Sequence, residues 1–246
     1  MAVERRFFFI HVMKTGGSTF RQHILANIPR HQLYPMGGGH KDLIRANLDV
    51  DYVLSLPRDE LDRIRVFSGH FPYAFRDMLE FETTALTILR DPVARTISYL
   101  KHCKRYHPHH RELGLDEIYD DPFYFKCFVK NFQSKLFCIG RGDAKIHGMI
   151  DIEVDDARLE VAKANLAKVD IIGLTENYSA FLANVEDRLG WKCEAGREQR
   201  VSTETWEVSD KVRKRIIADN AADIEFYNHA KALHAQRAAH DNSIAP

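Results

Sequence analysis

Phe7-Phe8-Phe9-Ile10-His11-Val12 runs into Met13-Lys14-Thr15-Gly16-Gly17-Ser18-Thr19 and then into Phe20-Arg21-Gln22-His23-Ile24-Leu25-Ala26-Asn27. The first six residues are a short, β-prone apolar run, and from Ser18 onward Phe20, Ile24 and Leu25 share one helical face. Strand, glycine turn and helix follow one another within 21 residues. Glycines let a turn aim its backbone N–H groups at an anion, and the start of the following helix adds the positive end of its dipole. Lys14 contributes a point charge. In the nucleoside-triphosphate loop, G-x-x-x-x-G-K-[ST], the lysine comes after the glycines; here it comes before them, so that pattern does not match. A lysine ahead of the turn reaches over the loop toward a bridging oxygen, where a departing phosphate develops charge.

The same alternation continues along the chain. Val66 to Ser68 reads as a second short strand ending at Gly69-His70. Thr84 to Leu89 reads as a third, followed by Asp91 as helix cap and Pro92 in the first helical turn. Asp155 to Val169 has helical spacing, Asp170 to Leu174 reads as a strand, Tyr178 to Leu189 as a helix, and Ser209 to Leu233 as one long closing helix. Residues 31–65, with Gly37-Gly38-Gly39, show no clean period and read as an irregular, partly mobile excursion. The pattern predicts an α/β fold: a P-loop-like, three-layer α/β/α domain with a mainly parallel central sheet and ligands gathered at the carboxyl ends of its strands. One domain over residues 1–233 is expected, with 31–65 and 101–125 as insertions and 234–246 as a flexible tail.

Composition bounds the partners. The 246 residues carry 35 Lys and Arg against 35 Asp and Glu, so no overall field attracts nucleic acid or an anionic membrane, and any anion site is local. The four cysteines, Cys103, Cys127, Cys138 and Cys193, have neither paired spacing nor the density of a disulfide scaffold and read as reduced core residues. No apolar run reaches transmembrane length, and Phe7 to Ile10 is too short for the apolar part of a signal peptide, so a cytosolic setting is expected.

The third strand runs into Arg90-Asp91-Pro92-Val93-Ala94-Arg95-Thr96-Ile97-Ser98-Tyr99. Arg90 leaves the strand end and Ser98 lies two turns into the next helix, so one arginine and one hydroxyl converge on an anion beside the first loop. With both motifs in this order, the chain resembles the sulfotransferases that use 3′-phosphoadenosine 5′-phosphosulfate (PAPS), in the branch that includes carbohydrate 2-O-sulfotransferases and small bacterial enzymes. Ser68-Gly69-His70, Asn131-Phe132-Gln133, Gly173-Leu174-Thr175-Glu176 and Asp223 to Tyr227 are similar to the same family. The resemblance implies that Lys14, Thr15, Gly16, Gly17, Ser18 and Thr19 hold the 5′-phosphosulfate and that Arg90 and Ser98 hold the 3′-phosphate. It also implies His70 as general base, Lys14 as the charge that meets the leaving phosphate, PAPS as co-substrate with adenosine 3′,5′-bisphosphate (PAP) as product, and no metal. The acceptor is expected to be a small molecule or carbohydrate hydroxyl, bound by the insertions at 31–65 and 101–125. Met13 departs from the family, which usually has proline before the lysine.

Two rival functions share the same scaffold. A nucleotide kinase or triphosphatase requires a G-K-[ST] loop and an acidic magnesium ligand at a strand end, whereas Asp91 reads as a cap. A non-catalytic binder of adenosine bisphosphate would keep the nucleotide site without the transfer. Among the 13 histidines, His40 and His11 compete with His70, and His11 reads as packed on the first strand. His102, His107, His109 and His110 lie in a stretch where Pro108 breaks helical spacing and no metal-binding frame is present; it reads as a basic lip facing an acidic acceptor. Phe123, Tyr124, Phe125, Phe128, Phe132 and Phe137 read as core, with Asn131 and Gln133 facing the nucleotide. Arg197 and Arg200 read as solvated loop residues or as a closure over the donor.

Overall fold

The computed structural model describes residues 5–36, 42–143, 152–193 and 205–244. Strand β1 (Phe7–Ile10) is buried at every residue, which a strand achieves only with cover on both faces. Phe7 and Phe9 pack with Phe20 and Ile24 of α1 (Gly17–Asn27) and with Phe181 and Val185 of a helix later in the chain. Phe8 and Ile10 join the opposite layer, which includes Phe137, Leu159, Ala162 and Phe226. Alternation along one strand therefore sets two helical layers on one sheet, the three-layer arrangement expected from the sequence.

The sheet is parallel throughout, in the order β2-β3-β1-β4-β5, with β2 at Leu33–Tyr34, β3 at Val66–Phe67, β4 at Thr84–Leu89 and β5 at Ile171–Leu174. From β1 the chain goes to one edge, returns through β3, and crosses to β4 on the other side of β1. The strand order reverses between β1 and β4, and a crevice forms outside the carboxyl ends at such a switch point. Helix α5 (Pro92–Tyr106) follows β4; Asp91 Oδ1 accepts from the Ala94 N–H at 2.8 Å and Pro92 occupies the first turn, as its sequence signals require.

The excursion at 31–65 is more regular than its sequence indicates. It supplies β2, whose Leu33 and Tyr34 pair with Val66 and Phe67, and three short helices, α2 (Leu43–Leu48), α3 (Val50–Leu54) and α4 (Arg58–Arg63). Helices under two turns have no period to detect; side-chain caps hold α2 and α3, with Asp42 accepting from Ile44 and Arg45 and Asp49 from Tyr52. Gly37, Gly38, Gly39 and His40 lie outside the described residues.

A third cluster forms beside the sheet, where Tyr99 and Leu100 of α5 pack with Ile118 of α6 (Leu115–Tyr119). The layer on the Phe8 side is built from α7 (Phe132–Cys138), α8 (Asp156–Ala167) and the closing helix, and the Phe7 side carries α9 (Tyr178–Leu189). The single helix expected from Ser209 to Leu233 is two: α10 (Asp210–Asp219) and α11 (Ala221–Ile244). Asn220 breaks them at φ −116°, ψ 31°, and its side chain accepts from the buried Asn131 N–H at 2.9 Å. The tail expected to fray from His234 instead continues α11 to Ile244. Arg237 anchors it by donating to the carbonyls of Val169 at 2.7 Å and Ala167 at 2.8 Å. No helix among the described residues is long and apolar enough to cross a membrane.

Candidate active site

The loop after β1 holds two left-handed residues, Lys14 at φ 69° and Gly16 at φ 91°. Glycine takes that conformation freely, whereas lysine does so at a cost of about 1–3 kcal/mol, which the surroundings must offset. They do so through three strand ends. Thr15 Oγ1 donates to the Val12 carbonyl at 2.9 Å, and Thr175, just past β5, places its hydroxyl 3.0 Å from the Thr15 carbonyl and 3.1 Å from that of Leu89. Gly17 is required for another reason: a Cβ there would sit 2.1 Å from His11 Cδ2. Helix α1 then starts with no side-chain cap and no acidic residue in its first turn, which leaves its positive end to an anion.

Arg90 leaves β4 beside this loop, and its Nη1 donates to the Lys14 carbonyl at 3.2 Å. Gln133 grips its main chain from both sides, accepting from the Arg90 N–H at 3.1 Å and donating to the Arg90 carbonyl at 2.8 Å. Gln133 is held in turn by Asp223, fully buried, whose Oδ2 accepts from the Gln133 N–H at 3.0 Å and whose Oδ1 accepts from both the N–H and the hydroxyl of Ser134 at 2.7 Å. Asn131, left-handed at φ 50°, completes the network by accepting from the Asp223 N–H at 3.1 Å. Arg95, also fully buried, donates to the Phe128 carbonyl at 2.8 Å and interacts electrostatically with Asp223; burial pulls the Arg95 pKa down to about 10. Desolvation likewise lowers the pKa of Arg90, against the pull of Glu176 and Asp91. Gln133→Ala is expected to leave the Arg90 N–H and carbonyl unpaired, costing about 1–3 kcal/mol in urea unfolding.

His70 follows β3. Its Nδ1 lies 2.6 Å from the His11 carbonyl oxygen. A carbonyl only accepts, so Nδ1 carries the proton and Nε2 keeps its lone pair. The His11 and His70 rings are 4.4 Å apart between centroids. Burial lowers the pKa of His70, partly opposed by that hydrogen bond; burial lowers His11 well below its usual value, with further lowering from His70, Arg21 and Lys14. Both rings are therefore neutral at neutral pH.

These strand ends surround one cleft of about 1020 Å³, lined by Lys14, Gly16, Gly17, Ser18, Thr19, His70, Arg90 and Ser98. Thr15 is the expected binding residue that does not line it: its hydroxyl shapes the loop. His11, read as packed, does line it. Asn131 and Gln133 are buried behind Arg90 and do not face the cleft. Arg197 and Arg200 lie outside the described residues. Beyond Ser98 the exposed side of α5 continues along the wall with Lys101, His102 and Arg105, joined by Arg213 from α10. Positions 94, 98, 101 and 105 repeat at helical spacing, so this basic stripe was readable once Ser98 had been placed. The Thr175 latch and the Gln133 clamp had no such signal, because each spans distant parts of the chain. Among the described residues, two carboxylates at this end have structural partners: Asp91 caps α5, and Glu176 accepts from the Asp91 N–H at 3.1 Å and the Tyr227 hydroxyl at 2.6 Å.

No family model matches the chain. Over 270 residues it is 24% identical to heparan-sulfate 6-O-sulfotransferase 2 of Homo sapiens and equally to that of Mus musculus, taking in 93% of this chain and 44% of each relative. The Gallus gallus protein of the same name is 23% identical over 93% of this chain and 66% of its own length. The chain thus spans less than half of the human and mouse relatives. Among solved structures, that of mouse sulfotransferase SULT7A1 complexed with PAP covers 97% of this chain and 90% of its own, at 15% identity and a TM-score of 0.32, too low to bear on the fold. The Lys14–Thr19 loop and Arg90 on neighbouring strand ends, together with likeness to these relatives over 93% of its length, support a PAPS-dependent sulfotransferase family for the chain.

Proposed function

We propose that the chain transfers the sulfuryl group of PAPS to a hydroxyl of an anionic carbohydrate. The observation that carries this reading is the convergence of Lys14, the uncapped start of α1, Arg90 and His70 on one cleft. An acceptor oxygen attacks sulfur as the bond from sulfur to the bridging oxygen breaks in line, and PAP departs. The acceptor proton passes to His70 Nε2. The charge that develops on the 5′-phosphate meets Lys14 and the N–H groups at the start of α1. Arg90 and Ser98 hold the 3′-phosphate, with Arg90 orienting both its phosphate and the Lys14 loop. The basic wall of Lys101, Arg105 and Arg213 suits an acceptor bearing carboxylates or sulfates, and heparan sulfate, named for the relatives, is such a polymer.

A kinase reading lacks support from the acidic groups, because Asp91 and Glu176 are both engaged in holding helices. The test is thermal stabilisation by PAP against ADP with magnesium. At a hundred times its dissociation constant, PAP is expected to add about 2.7 kcal/mol, raising Tm by roughly 5–10 °C for a chain of this size. Arg90→Ala is expected to weaken PAP by about 10- to 100-fold, as loss of a charge-assisted bond does. A shift with ADP and magnesium alone would replace this reading with the kinase one.

A further inference from the structure

His107-Pro108-His109-His110 carries none of the spacings of a metal motif, because proline breaks the helix. In the structure that break brings the rings together. α5 ends at Tyr106, His107 is extended at φ −98°, ψ 116°, and Pro108–His110 forms one tight turn. The turn brings ligand nitrogens of His107, His109 and His110 within 4.8 Å of one another. Tyr124 closes the group, with its hydroxyl 2.8 Å from His107 Nδ1 and 3.1 Å from His109 Nε2.

His110 supplies an independent observation. It is 1% exposed, and its Nε2 lies 3.4 Å from Asp121 Oδ2. An ionised carboxylate only accepts, so the proton is on Nε2 and the lone pair on Nδ1. That Nδ1 is buried and has no hydrogen-bond partner. A carboxylate holding one imidazole nitrogen while the other stays available is the outer arrangement of a metal-bound histidine. Asp121 is itself fixed, since its Oδ1 accepts from the N–H groups of Phe123 and Tyr124.

We propose that His107, His109 and His110 form a binding site for a divalent first-row transition ion of the zinc type, with Asp121 orienting His110. Three imidazoles favour zinc, cobalt, nickel or copper over magnesium or calcium, which take oxygen ligands. Tetrahedral ligation at about 2.0–2.1 Å sets the nitrogens roughly 3.3 Å apart, so the group closes by about 1.5 Å on binding. His109 is exposed and His107 half-buried, so side-chain rotation supplies that movement. The fourth position belongs to water or the Tyr124 hydroxyl. The ion takes no part in the transfer chemistry; because His107 also lines the cleft, it ties the end of α5 to residues 121–125 at the acceptor side.

The experiment is a Co²⁺ titration of the full chain after treatment with a chelator, read by visible absorption, with Zn²⁺ and Mg²⁺ as competitors. One equivalent with the strong bands of tetrahedral Co²⁺, displaced by Zn²⁺ and not by Mg²⁺, is expected. His109→Ala is expected to bind at least tenfold more weakly while keeping its PAP-induced Tm shift, which shows that the variant is folded. Absence of the tetrahedral bands in the parent, or the same titration in His109→Ala, overturns the site, the latter by assigning the ion to other histidines.

Discussion

His70→Ala is expected to lower kcat by about 10²- to 10⁴-fold, the usual contribution of a positioned base, while the Tm shift produced by PAP stays at its parental size. The asymmetry follows from geometry. His70 reaches the cleft from β3, whereas the donor's phosphates are assigned to the ends of β1 and β4, so removing the ring leaves the nucleotide contacts in place. Its tautomer is set by the His11 carbonyl 2.6 Å from Nδ1, which makes Nε2 the nitrogen that takes the acceptor proton. The pH profile gives a second readout. Burial lowers the pKa of His70, and a base works only when deprotonated, so kcat/KM is expected to rise with pH through a midpoint below the ordinary histidine value of about 6.5 and to be level above it. The acid limb should vanish in His70→Ala. Unchanged turnover in that variant would transfer the role to His11, whose ring is 4.4 Å away.

How much of this was legible in the sequence depends on distance along the chain. β1, the loop and α1 form one continuous stretch, and β4 with its Asp91 cap and Pro92 forms another, so local chemistry alone placed Lys14 and Arg90 at strand ends and Ser98 two turns into the helix after β4. That these two ends are neighbours depends on the strand order β2-β3-β1-β4-β5, and parallel pairing leaves no local trace of order. β2 escaped notice because two residues carry no alternation, and its burial comes from pairing with β3. Asn220 looked like an ordinary helix residue until its partner Asn131 was located 89 residues away in sequence.

The buried network behind Arg90 illustrates the same limit in energetic terms. Asn131, Gln133, Ser134, Asn220 and Asp223 are all under 9% exposed, a costly group of polar side chains unless each bond is made. Burial raises the pKa of Asp223, while Arg95 and the N–H groups of Ser134 and Gln133 pull it down. Asp223 Oδ2 accepts from the Gln133 N–H, and Gln133 in turn holds the Arg90 main chain beside the loop. Asn131 and Gln133 are expected from the sequence to face the nucleotide; in the structure neither lines the cleft, and Gln133 holds the Arg90 main chain instead.

Lys14 is the second position where a large effect is expected. Lys14→Ala should reduce kcat by about 10²- to 10³-fold, the loss seen when one donor to a developing oxyanion is removed, with a smaller change in donor affinity. If affinity falls and kcat does not, Lys14 binds ground state and transition state alike and is no leaving-group stabiliser. The backbone offers a further discrimination. Lys14 sits at φ 69°, where a side chain costs about 1–2 kcal/mol that glycine avoids, less about 0.4–1 kcal/mol for the freer unfolded chain. Lys14→Gly is therefore expected to be as inactive as Lys14→Ala yet more stable by up to about 1.6 kcal/mol in urea unfolding. That result would show that the left-handed conformation is kept for the ammonium group it presents to the cleft. Equal stability of the two variants would mean instead that the Arg90 bond to the Lys14 carbonyl and the Thr175 latch on Thr15 hold the loop at no strain, and that its shape belongs to the fold alone.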